Sequence, residues 1–271
     1  MSDFLRFMSR HLVALTGQYQ SFNTDGSDLH RGVFGFSGFV IEFFGRWFWV
    51  TAGHCLKECL DDPIRAGHLK VWNVGFADHF GLGAKHHDIL PLIYEPGCGH
   101  YINDPEAALD FGLIRLDDLQ KQGMENNGVI AVNRVNWMHQ ASLEFSHYKM
   151  LGFPSHLKRE IRHADGRVDG YLDTAMIALE RLSQDEVDSV PAGDWFVGQI
   201  PADVTIPSIK GMSGGPIYGF RQLEDGNWTY HVVALQSWWD EKKRIAYGCS
   251  LPYFAEALHS AAIDVMTDDE P

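Results

Sequence analysis

Cysteine is scarce in this chain, basic charge is outnumbered, and no long uninterrupted apolar run is present. Only Cys55, Cys59, Cys98 and Cys249 occur in 271 residues, too thin a set for a disulfide framework, so reduced thiols are expected. The most apolar stretch, Val33 to Gly53, is broken by Glu42 and Arg46 and does not read as a membrane-spanning helix. Arg6, Arg10 and His11 interrupt the opening MSDFLRFMSRHLVALTG, so it reads neither as a signal-peptide core nor as a lipidation signal. With 22 Lys and Arg against 36 Asp and Glu, the formal net charge is −14. An acidic surface repels phosphate, so neither nucleic acid nor an anionic membrane is an expected partner. The address these absences suggest is cytoplasmic.

Aromatic and β-forming residues are plentiful. Aromatics make up 13% of the chain, with eight Trp, and 45% hydrophobic against 21% charged residues is a globular balance with a bulky core. Phe4, Phe7, Met8, His11, Leu12 and Leu15 fall at helical spacing and predict a short N-terminal helix, followed by a polar, turn-rich stretch from Gln18 to Arg31. From Val33 the text turns to strands, with Gly45-Arg46 as a hairpin turn. Further short β runs follow, among them 68–76, 89–94, 111–116, 148–153, 168–177, 196–200, 217–220, 228–237 and 245–251. Short strands at this spacing predict an all-β barrel or sandwich. Helical patterns are expected at Leu179 to Val187 and, as a closing helix, at Pro252 to Met266; the polar segment Asp117–Asn127 reads as a linker between two β halves.

Three segments carry chemistry. Thr51-Ala52-Gly53-His54-Cys55 follows the apolar strand RWFWV; Asp110 heads the apolar run FGLIRL; Ser213 sits within Gly211-Met212-Ser213-Gly214-Gly215-Pro216. A hydroxyl is a weak nucleophile at neutral pH and needs a base to take its proton. Imidazole suits that task, and a carboxylate beside it fixes the tautomer. Glycines around the serine permit positive φ and let backbone N–H groups converge.

In this order the segments resemble the trypsin/chymotrypsin-like serine proteases, whose pattern is T-A-x-H-C, an Asp-headed apolar strand, then G-x-S-G-G-P. The likeness spans roughly residues 30–265. On average composition, G-x-S-G-G-P arises by chance in a chain this long about once in several thousand. The resemblance implies two antiparallel six-stranded β-barrels with a short N-terminal helix and a C-terminal helix. It divides the chain into 1–29 as N-terminal segment, 30–127 as first barrel and 128–271 as second barrel with the closing helix. It makes His54 the base, Asp110 its orienter and Ser213 the nucleophile, with the N–H groups of Gly211 and Ser213 as oxyanion hole. Val232–Trp239 resembles the strand that pairs with an extended polypeptide substrate, with Ser237 placed near Asp110. Pro207, Ser208, Ser237, Trp238 and Trp239 are the substrate-binding positions it implies, and neither cofactor nor metal is expected.

Departures from the family pattern also carry information. Met212 stands where secreted relatives have an Asp that pairs with a newly cut N-terminus, so other contacts must organise the turn. No Cys lies between residues 31 and 54 to pair with Cys55. Pro207 occupies the place of the Asp that reads basic side chains, and Trp239 replaces a pocket-opening Gly; Gln236 and Ser208 are positioned to meet a polar side chain. His79, His86, His87 and Asp88 read as a solvated loop, and Cys55 with Cys59 as thiols without a second ligand pair. Asp104, in an NDPEA turn, competes with Asp110 and has its own local reason to be there. The function expected is peptide hydrolysis; the alternatives are a latent protease switched on by a regulatory protein partner and a catalytically silent peptide-binding module.

Overall fold

A computed structural model describes residues 2–78, 89–137, 143–165, 168–187 and 193–255. Helix α1 (Asp3–Met8) starts on a Ser2 cap whose hydroxyl accepts the Leu5 N–H at 3.2 Å. It is shorter than the helical spacing predicts. A 3-10 turn at Ser9–His11 follows, and Leu12 already opens strand β1 (Leu12–Phe22). Leu12, Val13, Ala14 and Leu15 are all fully buried, and a run covered on every side loses the alternation that marks a strand.

The first half is an antiparallel sheet. After β1 come β2 (Asp28–Phe43), β3 (Arg46–Thr51), β4 (Leu69–Ala77), β5 (Leu90–Pro91), β6 (His100–Asp104) and β7 (Leu109–Arg115). Their order is β5-β4-β1-β2-β3-β7-β6, and among the described residues this ladder is an open seven-stranded sheet rather than the closed six-stranded barrel expected. The Gln18–Arg31 stretch is not a long loop: β1 and β2 pair through it, Gln18 with Val33 and Gln20 with Arg31, which satisfies the backbone, and the half-buried Gln18 side chain bonds to Trp72 and the Val168 carbonyl. The β2–β3 turn is Phe44-Gly45, at φ of 48° and 75°, one residue earlier than expected. Between β3 and β4 lie α2 (Gly53–Leu56), a π-turn and α3 (Asp62–Arg65). The expected linker is instead helix α4 (Asp118–Asn126), started by a capping box between Asp117 and Gln120, and followed by α5 (Arg134–Trp137).

The second half holds β8 (His147–Gly152), β9 (Arg159–Arg162), β10 (Val168–Tyr171), β11 (Ala175–Leu182), β12 (Trp195–Gln199), β13 (Pro216–Gln222), β14 (Trp228–Asp240) and β15 (Ile245–Ser250). Six of them close a barrel in the order β11-β12-β15-β14-β13-β8. The helix expected over Leu179–Val187 is the end of β11 and a 3-10 turn at Gln184–Glu186, because Leu179 pairs with Tyr148 and Glu180 with Gln199. Strands β9 and β10 form a separate hairpin that reaches back to β2, where Lys158 Nζ donates to the Val33 carbonyl at 2.6 Å and Arg162 to the Arg31 carbonyl at 2.7 Å.

The largest core cluster lies across the two halves, with Phe39, Val50 and Phe111 from the sheet against Leu151, Tyr247 and Leu251 from the barrel side. Residues 251–255 are helical, and Phe254 stacks on Phe111 at 4.5 Å; the rest of the expected closing helix lies outside the described residues, as do His79, His86, His87 and Asp88. Among the described residues no helix is long and apolar enough to cross a membrane. All four cysteines are free, Cys55 and Cys249 buried, Cys59 and Cys98 exposed.

Candidate functional site

The sheet supplies a histidine and a carboxylate. Strand β3 pairs with β7, Thr51 opposite Gly112, so the chain leaving β3 enters α2 beside the start of β7. That register brings His54 onto Asp110 across 56 residues of sequence: Nδ1 lies 2.6 Å from Oδ2, and the His54 backbone N–H donates to Oδ1 at 2.8 Å. The Ser237 hydroxyl, from β14, also donates to Oδ2. Asp104, by contrast, closes its own turn by accepting the Ala107 N–H at 3.2 Å.

Asp110 is 2% exposed. Burial alone pushes a carboxyl up, but the hydrogen bonds and charge of His54, with the Ser237 hydroxyl, outweigh it and hold Asp110 below the usual carboxylate range. Burial likewise opposes a charged imidazole at His54, yet the bond and charge of Asp110, joined by Cys55, raise it above its ordinary value. A carboxylate only accepts, so Nδ1 carries the hydrogen and Nε2 is left as the basic nitrogen. In this structure Nε2 faces the Cys55 sulfur at 3.6 Å.

Ser213 comes from the barrel side, on the turn that leads into β13. The turn is built by the orientation of its peptide planes. The Lys210 carbonyl accepts the Ser155 N–H at 2.6 Å, and the Met212 carbonyl accepts the Gly215 N–H at 2.8 Å. In a trans peptide the C=O and the following N–H point opposite ways, so the N–H groups of Gly211 and Ser213 are turned from these bonds. Neither has a protein acceptor among the described residues, and both residues line one cleft. Met212 is buried in the barrel core, and its N–H goes to the Ile209 carbonyl at 3.0 Å.

Contacts from the sheet also reach this turn. The Ser37 hydroxyl donates to the Gly211 carbonyl at 2.8 Å and accepts the Phe153 N–H at 2.9 Å. Thr51 Oγ1 donates to the Ser37 carbonyl at 2.7 Å. Gly214, at φ of 89°, packs so closely here that a Cβ would lie 2.1 Å from Thr51 Oγ1 and 2.3 Å from the Ser37 carbonyl oxygen. Gly211, at φ of 91°, leaves 2.4 Å between the place of a Cβ and Ser155 Oγ. Sequence reasoning missed Ser37 and Ser155; the one available signal was a lone small hydroxyl between Phe36 and Gly38 in the apolar run Val33 to Ile41.

His54, Gly211, Ser213, Ser237, Trp238 and Trp239 thus share a cleft of about 340 Å³. Within it the Ser213 hydroxyl donates to the Ser237 carbonyl at 3.3 Å, and no hydrogen bond joins it to His54. Trp238 is 47% exposed, with its ring 4.7 Å from that of Tyr247, while Trp239 packs against the barrel core. Pro207 and Ser208 stand outside this lining; Ser208 Oγ accepts the Lys210 N–H at 3.1 Å and so shapes the approach to the turn. A wider hollow of about 470 Å³, around Gly45, Trp47, Arg115 and Lys121, shares no residue with the cleft.

No protein-family model and no curated protein matches the chain. Among solved structures it is similar to the protease Anisep from Arthrobacter nicotinovorans, at 14% identity over 89% of this chain and 90% of that one, with a TM-score of 0.40. It is also similar to a chain from a structure concerning the coupled folding and binding of the intrinsically disordered Sesbania mosaic virus VPg protein, at 14% identity over 92% and 90%, with a TM-score of 0.43. Likenesses this distant leave function to be read from the residues themselves.

Proposed function

We propose that this protein is a trypsin/chymotrypsin-like serine endopeptidase that cleaves extended polypeptide through an acyl-enzyme, with residues 30–127 supplying His54 and Asp110 and residues 128–271 supplying Ser213. The observation that carries the reading is the His54–Asp110 bond at 2.6 Å in a cleft that also holds Ser213 and the unpaired N–H groups of Gly211 and Ser213.

In this reading the Ser213 hydroxyl leaves the Ser237 carbonyl, gives its proton to His54 Nε2 and attacks the substrate carbonyl carbon. The carbonyl oxygen gains negative charge and is met by the N–H groups of Gly211 and Ser213, each such donor being worth roughly 3–4 kcal/mol. Nε2 then hands its proton to the departing amine, and water, activated by the same nitrogen, releases the acid product and restores the Ser213 hydroxyl. Asp110 stays ionised throughout and stabilises the imidazolium. For the substrate, β14 pairs with β13 as far as Leu235 and continues through Gln236 to Gly214 and Gly215, so from Ser237 onward, among the described residues, one edge of the strand is open to an added strand. The free thiols suit a reducing compartment, and we place the activity in the cytoplasm.

One observation favours a latent form awaiting a regulatory partner. The Ser213 hydroxyl rests on the Ser237 carbonyl while Nε2 faces Cys55, so the pair is apart at rest. The test is digestion of a denatured polypeptide by the wild-type protein and by Ser213→Ala and His54→Ala variants. Cleavage by the wild type alone is the expected result. Equal cleavage by all three overturns the assignment, and cleavage that begins only when a cell extract is added, and needs Ser213, identifies the latent form.

A further inference from the structure

The cleft contains a polar group that hydrolysis does not use. Gln236 follows Leu235 on β14, is 2% exposed, and lines the cleft together with Ile209, Ser213 and Trp239. Its Nε2 donates to the Trp238 carbonyl at 3.3 Å, which fixes which end of the amide is nitrogen. Its Oε1 accepts from no protein group among the described residues, and the second Nε2 hydrogen has no acceptor there either. A buried amide oxygen without a donor is costly, and Gln236 belongs to the lining of the cleft, where this oxygen is itself covered in the free protein.

We propose that Gln236 is the specificity-determining residue of this cleft, pairing with the uncharged primary amide of a glutamine or asparagine on the acyl side of the bond to be cut. The inference rests on reading the cleft as the peptide site. An amide is the chemical complement of what Gln236 offers, one acceptor and one donor side by side. A carboxylate side chain sets oxygen against Oε1. A lysine or arginine finds no buried counter-charge: the one acid in the lining, Glu241, is 60% exposed at the rim and lies 4.0 Å from Lys210 Nζ. An aliphatic side chain fills the space beside Ile209 and Trp239 but leaves Oε1 unpaired.

The test is calorimetric binding of product-like peptides, identical except for a C-terminal Gln, Met, Glu or Lys, to the wild-type protein and to Ser213→Ala. Methionine matches glutamine in length but brings no donor. The Gln peptide is expected to bind about tenfold or more tightly than the Met peptide, with Glu and Lys weaker still. In Gln236→Leu the Gln and Met peptides should bind within about twofold of each other. Equal binding of Gln and Met to the wild type, binding of none of the four, or a Gln preference that persists in Gln236→Leu overturns the proposal. If Gln236→Leu does not fold, the wild-type comparison of Gln with Met still decides. Binding needs no turnover, so a Gln preference in a protein that cleaves nothing, alone or with cell extract, defeats the hydrolytic reading and leaves the Gln236 pairing standing.

Discussion

The two halves hold their shares of the site by different means. In the sheet, His54 and Asp110 are joined to each other directly, through a side-chain bond at 2.6 Å and a backbone bond at 2.8 Å, on elements that the β3–β7 register already makes neighbours. The barrel closes on itself, yet the Ser213 turn it presents depends on the other half: Ser37 and Thr51 are sheet residues, and they bond to or pack against Gly211 and Gly214. The His54–Asp110 pair is therefore assembled within one half. The Ser213 turn draws on both halves, with bonds from Ser155 and Gln236 on the barrel side and from Ser37 on the sheet, and the largest core cluster spans the same two halves.

This contrast can be broken on either side. The largest effect is expected within the sheet, from Asp110→Asn. Such a change keeps the shape but allows the wrong imidazole tautomer, and should lower acylation of Ser213 about 10⁴-fold at neutral pH. The pH dependence follows from the same pair. Acylation needs neutral His54, so its rate should rise with pH through a midpoint above the ordinary imidazole value of about 6.5. Without the Asp110 charge, burial of His54 is opposed chiefly by Cys55 alone, and the midpoint should move down. A rate–pH profile of both proteins checks the direction.

Across the interface, Gly214→Ala forces a Cβ into Thr51 and Ser37 at positive φ. It should cost roughly 3–5 kcal/mol in denaturant unfolding and remove acylation with it. Ser37→Ala is milder and more telling. It strands the Gly211 carbonyl and the Phe153 N–H, so stability should fall by about 1–3 kcal/mol and acylation by roughly tenfold, with the His54 midpoint unchanged. Were the Ser213 turn organised from within the barrel alone, Ser37→Ala would leave acylation as it is. The smallest effect is expected from Lys158→Met, which removes a partly exposed bond between the β9–β10 hairpin and Val33 and should change stability by less than about 1 kcal/mol.

What could be read from sequence divides along the same line. TAGHC and GMSGGP announce themselves because their residue types are chemically demanding: a glycine at φ of 89° pressed between two oxygens has no substitute. Asp110 stands out only through the order of the three segments and the family resemblance, since an Asp before apolar residues is ordinary. Ser37 was not, since a single serine in a Phe-rich strand carries no periodic or motif signal; only the distance to Gly211 reveals its use. Elements were misread where burial erased the pattern. Leu12–Leu15 is covered on all sides and imitates a helix, and the acidic text after Leu179 hides the end of a strand that pairs with Val197 to Gln199 on β12, across an intervening turn. The open sheet was equally hidden, because closure is decided by edge pairing between β5 and β6, of two and five residues.

The measurement that bears most directly on the account is the intact mass of the folded protein after exposure to a fluorophosphonate, for wild type, Ser213→Ala and His54→Ala. A nucleophile activated jointly by both halves predicts a single adduct on the wild type, mapped to Ser213, and none on either variant. An adduct elsewhere, or one that survives the loss of His54, would contradict the claim that these residues form one centre.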